Sequence, residues 1–280
     1  AKKRKLPIYE RVEMLSNIVS LKKNIIVTGA HGKTTTTSLV AKILSESKLD
    51  PTIINGGVIN SINNNAKLGK GEWAVLEADE SDGSFLKLPI NYSIVTNIDH
   101  EHMDYYKNYN NLEKSFLKFI NRTPPIGKCI ICLDDKNIKK ITKKIKTKNI
   151  LSYGFDKNSD YQIINTKFNN KNSKFDLLVK NFFGKKKIIK NIYLNLIGKY
   201  NILNSTAAIC VCINLGIKID IIKKSLSKFS GVQRRMTKIL EKNSNIFYDD
   251  YAHHPTEISS VLEGIRKISN KKEITAVFQP

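Results

Sequence analysis

Asn24-Ile-Ile-Val-Thr-Gly-Ala-His-Gly-Lys-Thr-Thr-Thr-Thr37 joins three apolar β-branched residues, two glycines, a lysine and a threonine run that leads into Leu39, Val40, Ile43 and Leu44. The last four recur at helical spacing, and Ile25 to Val27 read as a buried strand. A strand that empties through a glycine-bearing turn into a helix gathers free backbone N–H groups and the positive end of the helix dipole at one point, which makes an anion site. Gly29 and Gly32 let the backbone turn tightly and approach a phosphate. Lys33 adds a mobile cation, and Thr34 a hydroxyl able to ligate magnesium on the terminal phosphates. Gly29, Ala30, His31, Gly32, Lys33, Thr34 and Thr35 are therefore the expected nucleotide-triphosphate site. The usual phosphate loop has a glycine where Val27 stands, so this loop is a shortened form.

Outward from the loop, Lys22 to Asp134 alternates short apolar runs with helical segments, the pattern of an α/β domain with a mainly parallel sheet and helices on both faces. Strands are expected at 24–28, 52–55, 73–78, 92–98 and 128–133, and helices at 34–47 and 110–121. Between 150 and 197, β-branched and aromatic runs around polar turns predict a small antiparallel insertion. Helices resume at 201–214, closed by Gly216, and at 220–229. After Ser230-Gly231, strands at 237–242, 246–250 and 273–278 and a helix at 255–268 start a second α/β unit. The expected organisation is a basic tail with a short helix (1–20), a nucleotide-binding domain (21–231) and the beginning of another domain (232–280). Roughly 45 residues are too few for such a unit to stand alone, and the lack of an initiating Met agrees with a piece of something longer.

The 280 residues are 41% apolar, enough for a sizeable core. No run approaches about 18 apolar residues, and the basic start Ala1 to Lys5 has no apolar stretch behind it, so neither a membrane span nor a signal peptide is expected and a cytoplasmic location follows by default. The net charge of +22 invites a nucleic-acid partner. Only six of the 47 cations are Arg, however, and the lysines are scattered among Ile and Asn, which reads as compositional drift with no nucleic acid bound. Cys129 and Cys132 fall in a strand, where an offset of three puts them on opposite faces, and Cys210 and Cys212 in an apolar helix. All four read as packing residues, without metal or disulfide.

Trp73 to Asp82 is a buried strand that runs into four carboxylates, Glu77, Asp79, Glu80 and Asp82, which repel one another unless cations are near. Ligands of such sheets sit at the carboxyl ends of strands, so these acids are expected beside the phosphate loop as magnesium ligands. Alternation pairs Glu77 with Asp79 and Ala78 with Glu80 without saying which side faces the nucleotide. Two further polar clusters follow strands, Asp99-His-Glu-His-Met-Asp104 and Asp249-Asp-Tyr-Ala-His-His-Pro255. Phosphoryl transfer needs such positioning and charge neutralisation around a triphosphate.

Taken in order, Gly29 to Thr37, Asn55-Gly-Gly57, Glu77 to Asp82, Thr96-Asn-Ile98 with His102-Met-Asp104, Gly198 to Asn204, Gly231 to Arg235 and Asp249 to Pro255 resemble the motifs of the Mur ligases. The resemblance runs from about Leu6 to Pro280 and implies an ATP-dependent acid–amino acid ligase of peptidoglycan precursor synthesis. Family members have three domains. Here that implies the tail of the uridine-nucleotide-binding domain (1–20), the ATP-binding domain (21–231) and the start of a Rossmann-like third domain (232–280), unable to ligate alone. ATP and Mg2+ are the implied cofactors.

Ser81, Ser84 and the His253-His-Pro255 run match the branch that joins UDP-N-acetylmuramate to L-alanine. A murein-peptide recycling ligase is the neighbouring alternative, expected to carry Tyr at position 81; a nucleotide-binding switch without ligase activity is the alternative from another class. By motif, Lys33 resembles the phosphate lysine, Thr34 and Glu77 ligands of one magnesium, and Glu77 with His102 ligands of a second. Asn201 and Asn204 resemble residues near the nucleotide base, Arg234 the arginine on the terminal phosphate, and Asp250 and Tyr251 third-domain nucleotide contacts. Ser81, Ser84 and His253 fall on the substrate side. The family commonly has Thr at Ala30 and His at Tyr200.

Overall fold

The computed structural model describes residues 2–169, 172–269 and 272–278. In chain order the elements are α1 (Arg11–Val19), β1 (Lys23–Thr28), α2 (Lys33–Glu46), β2 (Thr52–Ile59), β3 (Asn64–Lys67), β4 (Trp73–Glu77), β5 (Tyr92–Val95), α3 (Met103–Tyr106) and α4 (Tyr109–Asn121). They continue with β6 (Lys128–Cys132), α5 (Lys136–Ile141), β7 (Ile150–Gly154), β8 (Tyr161–Phe168), β9 (Ser173–Phe182), β10 (Lys185–Leu194), α6 (Lys199–Asn214) and α7 (Ile219–Ser227). Last come β11 (Thr237–Lys242), β12 (Asn245–Asp249) and α8 (Pro255–Ile268).

Strands β1 to β10 form one sheet in the order β10-β9-β8-β7-β6-β5-β1-β4-β2-β3, and β11 pairs with β12 in a separate hairpin. From β2 to β8 every neighbour is parallel. The strand β1 lies between β4 and β5, and Ile25, Ile26 and Val27 are wholly buried, which is why they read as one continuous apolar run. The crossover from β1 through α2 to β2 travels one way across the sheet and that from β5 through α4 to β6 the other. Right-handed connections therefore put α2 and α4 on opposite faces. Helix α6 packs on α2 and over β6 and β7, while Phe116 and Phe119 of α4 pack their rings on Phe85. At the close of α6, Gly216 takes φ +78° and Ile217 N donates to Cys212 O at 3.0 Å, the cap expected of that glycine.

One expectation gains detail and two change. The expected antiparallel segment forms as β8–β10, and the added detail is that β8 joins the main sheet by pairing parallel with β7. The edge strand β3 and the helices α3 and α5 have no counterpart among the expected elements. The strand expected at 273–278 does not form, because its apolar residues meet no neighbouring strand with which to complete a ladder; Val277 is 96% exposed. All four cysteines are free and buried, as packing residues should be. No helix among the described residues is long and apolar enough to cross a membrane.

Candidate active site

The carboxyl ends of β1, β4 and β5 meet at the loop 29–32. Gly29 takes φ +123° and Gly32 φ +82°, left-handed conformations that a side chain rarely tolerates. The loop is held by the segment after β5: His31 N donates to Asn97 Oδ1 at 2.7 Å, Asn97 Nδ2 to His31 O at 2.9 Å, and Thr96 Oγ1 to His31 O at 2.7 Å. Ala30 N donates to the Asn97 carbonyl at 3.2 Å. These bonds fix the mouth of the loop before any ligand arrives.

Lys33 Nζ donates to both carboxylate oxygens of Glu80 at 3.1 Å and to Ala30 O at 3.1 Å. Glu80 is only 1% exposed, and burial pushes its carboxyl above the usual range despite the cation beside it. The Tyr106 hydroxyl donates to the Glu80 carbonyl and fixes the backbone there. On the other side of the strand end, Thr34 Oγ1 donates to Glu77 Oε1 at 2.9 Å, and Gly56 N to Glu77 Oε2 at 2.6 Å. Thr34 and Glu77 thus form a pair of hard oxygen donors at the start of α2, a donor set that suits magnesium. His102, in a left-handed conformation at φ +58°, places Nε2 3.8 Å from Glu80 Oε1. Its ligand atom groups with those of Asp79 and Glu80 within 4.8 Å.

A cleft of about 1090 Å³, its open mouth included, runs from His31, Gly32 and Thr34 past Asn201 and Asn204 to an apolar end at Tyr153, Leu196 and Leu203. Its lining mixes the polar groups of the phosphate loop with apolar side chains, the composition of a small-molecule site. The far wall comes from the later part of the chain, with Arg235, Asp250 and Glu257. Asp250 accepts from Met236 N at 2.7 Å and Ala252 N at 2.8 Å, and burial raises its carboxyl. Helix α8 is tied directly to the loop: His31 Nε2 is 2.9 Å from Asp99 Oδ2, Thr256 Oγ1 donates to the same Asp99 oxygen at 2.8 Å, and His31 Nδ1 is 3.4 Å from Glu257 Oε1.

The chain is similar to known proteins in sequence and fold. The family described as Mur ligase middle domain matches residues 27–212, and that described as Mur ligase, glutamate ligase domain matches residues 234–280. The chain belongs to the Mur ligase family. It is 57% identical over 281 residues to UDP-N-acetylmuramate–L-alanine ligase of Pelagibacter ubique and 41% identical over 280 residues to the enzyme of that name from Brucella anthropi. Each alignment takes in 100% of this chain and 60% of the relative, so the chain spans about 60% of the length of those relatives. The crystal structure of UDP-N-acetylmuramate–alanine ligase from Thermotoga maritima superposes with a TM-score of 0.82 at 27% identity, covering 96% of this chain and 60% of that one. A murein peptide ligase from Psychrobacter arcticus shares the fold, with a TM-score of 0.74 at 23% identity over 95% of this chain and 59% of that one.

In this member of the family the expected site residues fall in different places. His31, Gly32, Thr34, Thr35, Asn201, Asn204 and Asp250 line the cleft, while Gly29, Ala30 and Lys33 shape the loop behind it. Ser81 and Ser84 line a second groove together with Glu77 and Arg11, on the other side of the strand end. Arg234, Tyr251 and His253 do not line the cleft. The Arg234 side chain is 62% exposed, stacks over Tyr251 at 4.9 Å and leans towards Asp249 at 3.8 Å, whereas its neighbour Arg235 faces the cleft and pairs with Glu257 at 3.6 Å. The His253 side chain is 67% exposed, with Nδ1 3.1 Å from Tyr251 O. Glu77 is engaged by Thr34 and Gly56, and His102 sits nearer Glu80.

Sequence reading passed over Glu80 as the lysine partner, Asn97, Asp99, Arg235 and Glu257. Glu80 stood in the acidic strand end, Asn97 and Arg235 in quoted motifs and Asp99 in the run of acids and histidines after a strand, whereas nothing local marked Glu257.

The loop-to-α8 contacts are ionic and respond to pH. Burial would lower the His31 pKa, but its bonds to Glu257 and Asp99 outweigh that and raise it above 6.5. Burial would raise Glu257 and Asp99; His31 overrides it in both, and each carboxyl falls to about 2. The raised histidine contributes stability below pH 6.5 that is lost as pH climbs through its folded value. The depressed carboxylates contribute stability above about pH 4.5 that is lost as pH falls towards 2. Helix α8 is therefore expected to hold the loop most firmly between about pH 4.5 and 6.5, measured as amide-exchange protection factors for 255–268 corrected for intrinsic rates. Protection that is flat from pH 4 to 8.5 would contradict the ionic account.

Proposed function

We propose that this chain carries the ATP-binding core of a ligase that joins L-alanine to the carboxylate of UDP-N-acetylmuramate through an acyl phosphate. The observation that carries the reading is the convergence on one loop of a lysine, a threonine–glutamate oxygen pair and a second unit that reaches over the cleft. A carboxylate is a poor electrophile until one of its oxygens becomes a leaving group, and transfer of a terminal phosphoryl supplies one. The amine then attacks the carbonyl carbon, the tetrahedral intermediate collapses, and the phosphate leaves with the bonding pair. Loop N–H groups and Lys33 hold the phosphates and stabilise charge moving onto them. Thr34 and Glu77 would hold magnesium, which when bound neutralises the triphosphate. Asn201 and Asn204 line the cleft beyond the phosphate loop, where a base would lie, with Asp250 approaching from the later unit and Arg234 and Tyr251 stacked on each other outside the cleft. The groove with Ser81 and Ser84 opens next to Glu77 and is our candidate for the muramyl side, with His253 at the rim of the later unit.

The names of the relatives supply the substrates of this proposal, and the matched domains its organisation. Residues 1–20 act as the linker from a uridine-nucleotide-binding domain, 21–231 as the ATP-binding domain and 232–280 as the start of the third domain, in the cytoplasm. On this reading, residues 1–280 bind MgATP but ligate negligibly. The test is ADP release by the full-length protein containing this chain, with UDP-N-acetylmuramate and each amino acid in turn. Release that requires both the nucleotide and L-alanine is expected. Release indifferent to alanine, or supported only by a tripeptide, would sink the proposal.

A further inference from the structure

Beside the phosphate loop, and sharing His31 with it, two imidazoles and a carboxylate from three separate parts of the chain converge. His31 comes from the loop, Glu101 from the segment after β5 and His254 from the N-cap of α8, and their ligand atoms lie within 4.8 Å of one another. His31 Nδ1 is 3.9 Å from Glu101 Oε1, and His254 Nε2 is 3.9 Å from the same oxygen. The side chains are 15%, 17% and 26% exposed respectively, enough for an ion to enter and too little for the groups to move far. We propose that His31, Glu101 and His254 form a binding site for a borderline divalent cation of the zinc, cobalt or nickel class, which clamps α8 to the phosphate loop.

Two further features fit a metal centre. Asp99 Oδ2 accepts from His31 Nε2 at 2.9 Å and lies 3.8 Å from His254 Nδ1, so one carboxylate faces the rear nitrogen of both rings and turns their other nitrogens towards Glu101. A carboxylate behind a ligating histidine fixes the tautomer and raises its basicity. For His254 this means carrying its proton on Nδ1 and giving up the long 3.3 Å bond it accepts from Thr256 N. Glu257 Oε1, 3.4 Å from His31 Nδ1, stands ready as a further oxygen donor. Two nitrogens with carboxylate oxygens suit zinc-like ions, whereas magnesium prefers an all-oxygen octahedron such as Thr34, Glu77 and phosphates offer. The ion must close two contacts of 3.9 Å in a group whose atoms lie within 4.8 Å, since tetrahedral bonds of roughly 2 Å place ligands a little over 3 Å apart.

The test is titration of the purified chain with cobalt(II) in the presence of excess magnesium, read by its visible ligand-field absorption. The four cysteines are buried and cannot supply that signal. One cobalt per chain is expected, with affinity falling at least tenfold in both His254→Ala and Glu101→Gln and unchanged in His100→Ala and His253→Ala. Since His254→Ala also removes the α8 cap, Glu101→Gln is the variant that separates ligation from local unfolding. Absence of stoichiometric binding, binding retained in Glu101→Gln, or loss in His100→Ala or His253→Ala instead would overturn the proposal.

Discussion

Replacing Lys33 by Met is expected to lower MgATP affinity by about 10- to 150-fold, the roughly 1.5–3 kcal/mol that a hydrogen bond to a charged group contributes. The same change strands Glu80, which is 1% exposed and receives two of the three hydrogen bonds of the lysine. Breaking a buried ion pair from one side costs about 3–5 kcal/mol, relieved when the orphaned acid takes up a proton. Burial already raises the Glu80 pKa, and losing the cation raises it further, so the folded variant binds a proton that the unfolded chain gives up. The stability deficit should therefore be smallest in acid and grow as pH rises above the ordinary carboxylate range. The double variant Lys33→Met/Glu80→Gln separates the two roles. It should regain most of the urea-unfolding stability and none of the ATP affinity in calorimetry. If the double variant binds ATP like the parent, the lysine is a structural counter-ion and the site lies elsewhere.

The second large effect is steric. A Cβ at Gly29 would come within 2.3 Å of Thr96 Oγ1 and 2.8 Å of the Asn97 carbonyl, at φ +123°. Backbone strain of about 1–3 kcal/mol and overpacking of similar size place Gly29→Ala at about 4 kcal/mol. Gly184 is the natural control, with φ +86° and nothing within 4 Å of the added carbon. Gly184→Ala pays the backbone term alone, about 1–2 kcal/mol. Equal shifts of the urea midpoint in the two variants would mean that the close contact of loop and Asn97 does not matter.

Residues that act within one short stretch were legible before folding. The strand Ile25–Val27, the glycine turn and the helix start are contiguous, so periodicity and chain chemistry place them together. The edge strand β3, Asn64-Asn-Ala-Lys67, is exposed throughout and carries no alternation to betray it. Residues 273–278 are largely apolar and still form no strand, because a ladder requires a partner that composition does not announce.

Within the site, alternation set Glu77 and Glu80 on opposite sides, and the structure does turn Glu77 to Thr34 and Glu80 to Lys33. Strand β4 ends at Glu77, however, so the side that Asp79 and Glu80 face is decided by the turn that follows. The contact between Asp99 and Thr256 joins residues 157 apart, beyond any local pattern. The choice between Arg234 and Arg235 rests on one backbone angle: φ +56° at Arg234 sends its side chain towards Asp249 and leaves Arg235 facing the cleft.

The most direct test of the phosphate-loop assignment is the hydrogen-exchange footprint of a non-hydrolysable ATP analogue with magnesium on this chain. Slower exchange is predicted for 29–37, 201–204 and 250–257, which line the cleft, and for 77–80, which bonds the loop through Glu77 and Glu80, with β8–β10 unchanged. Protection absent from 29–37, or confined to the β8–β10 edge, would contradict the assignment.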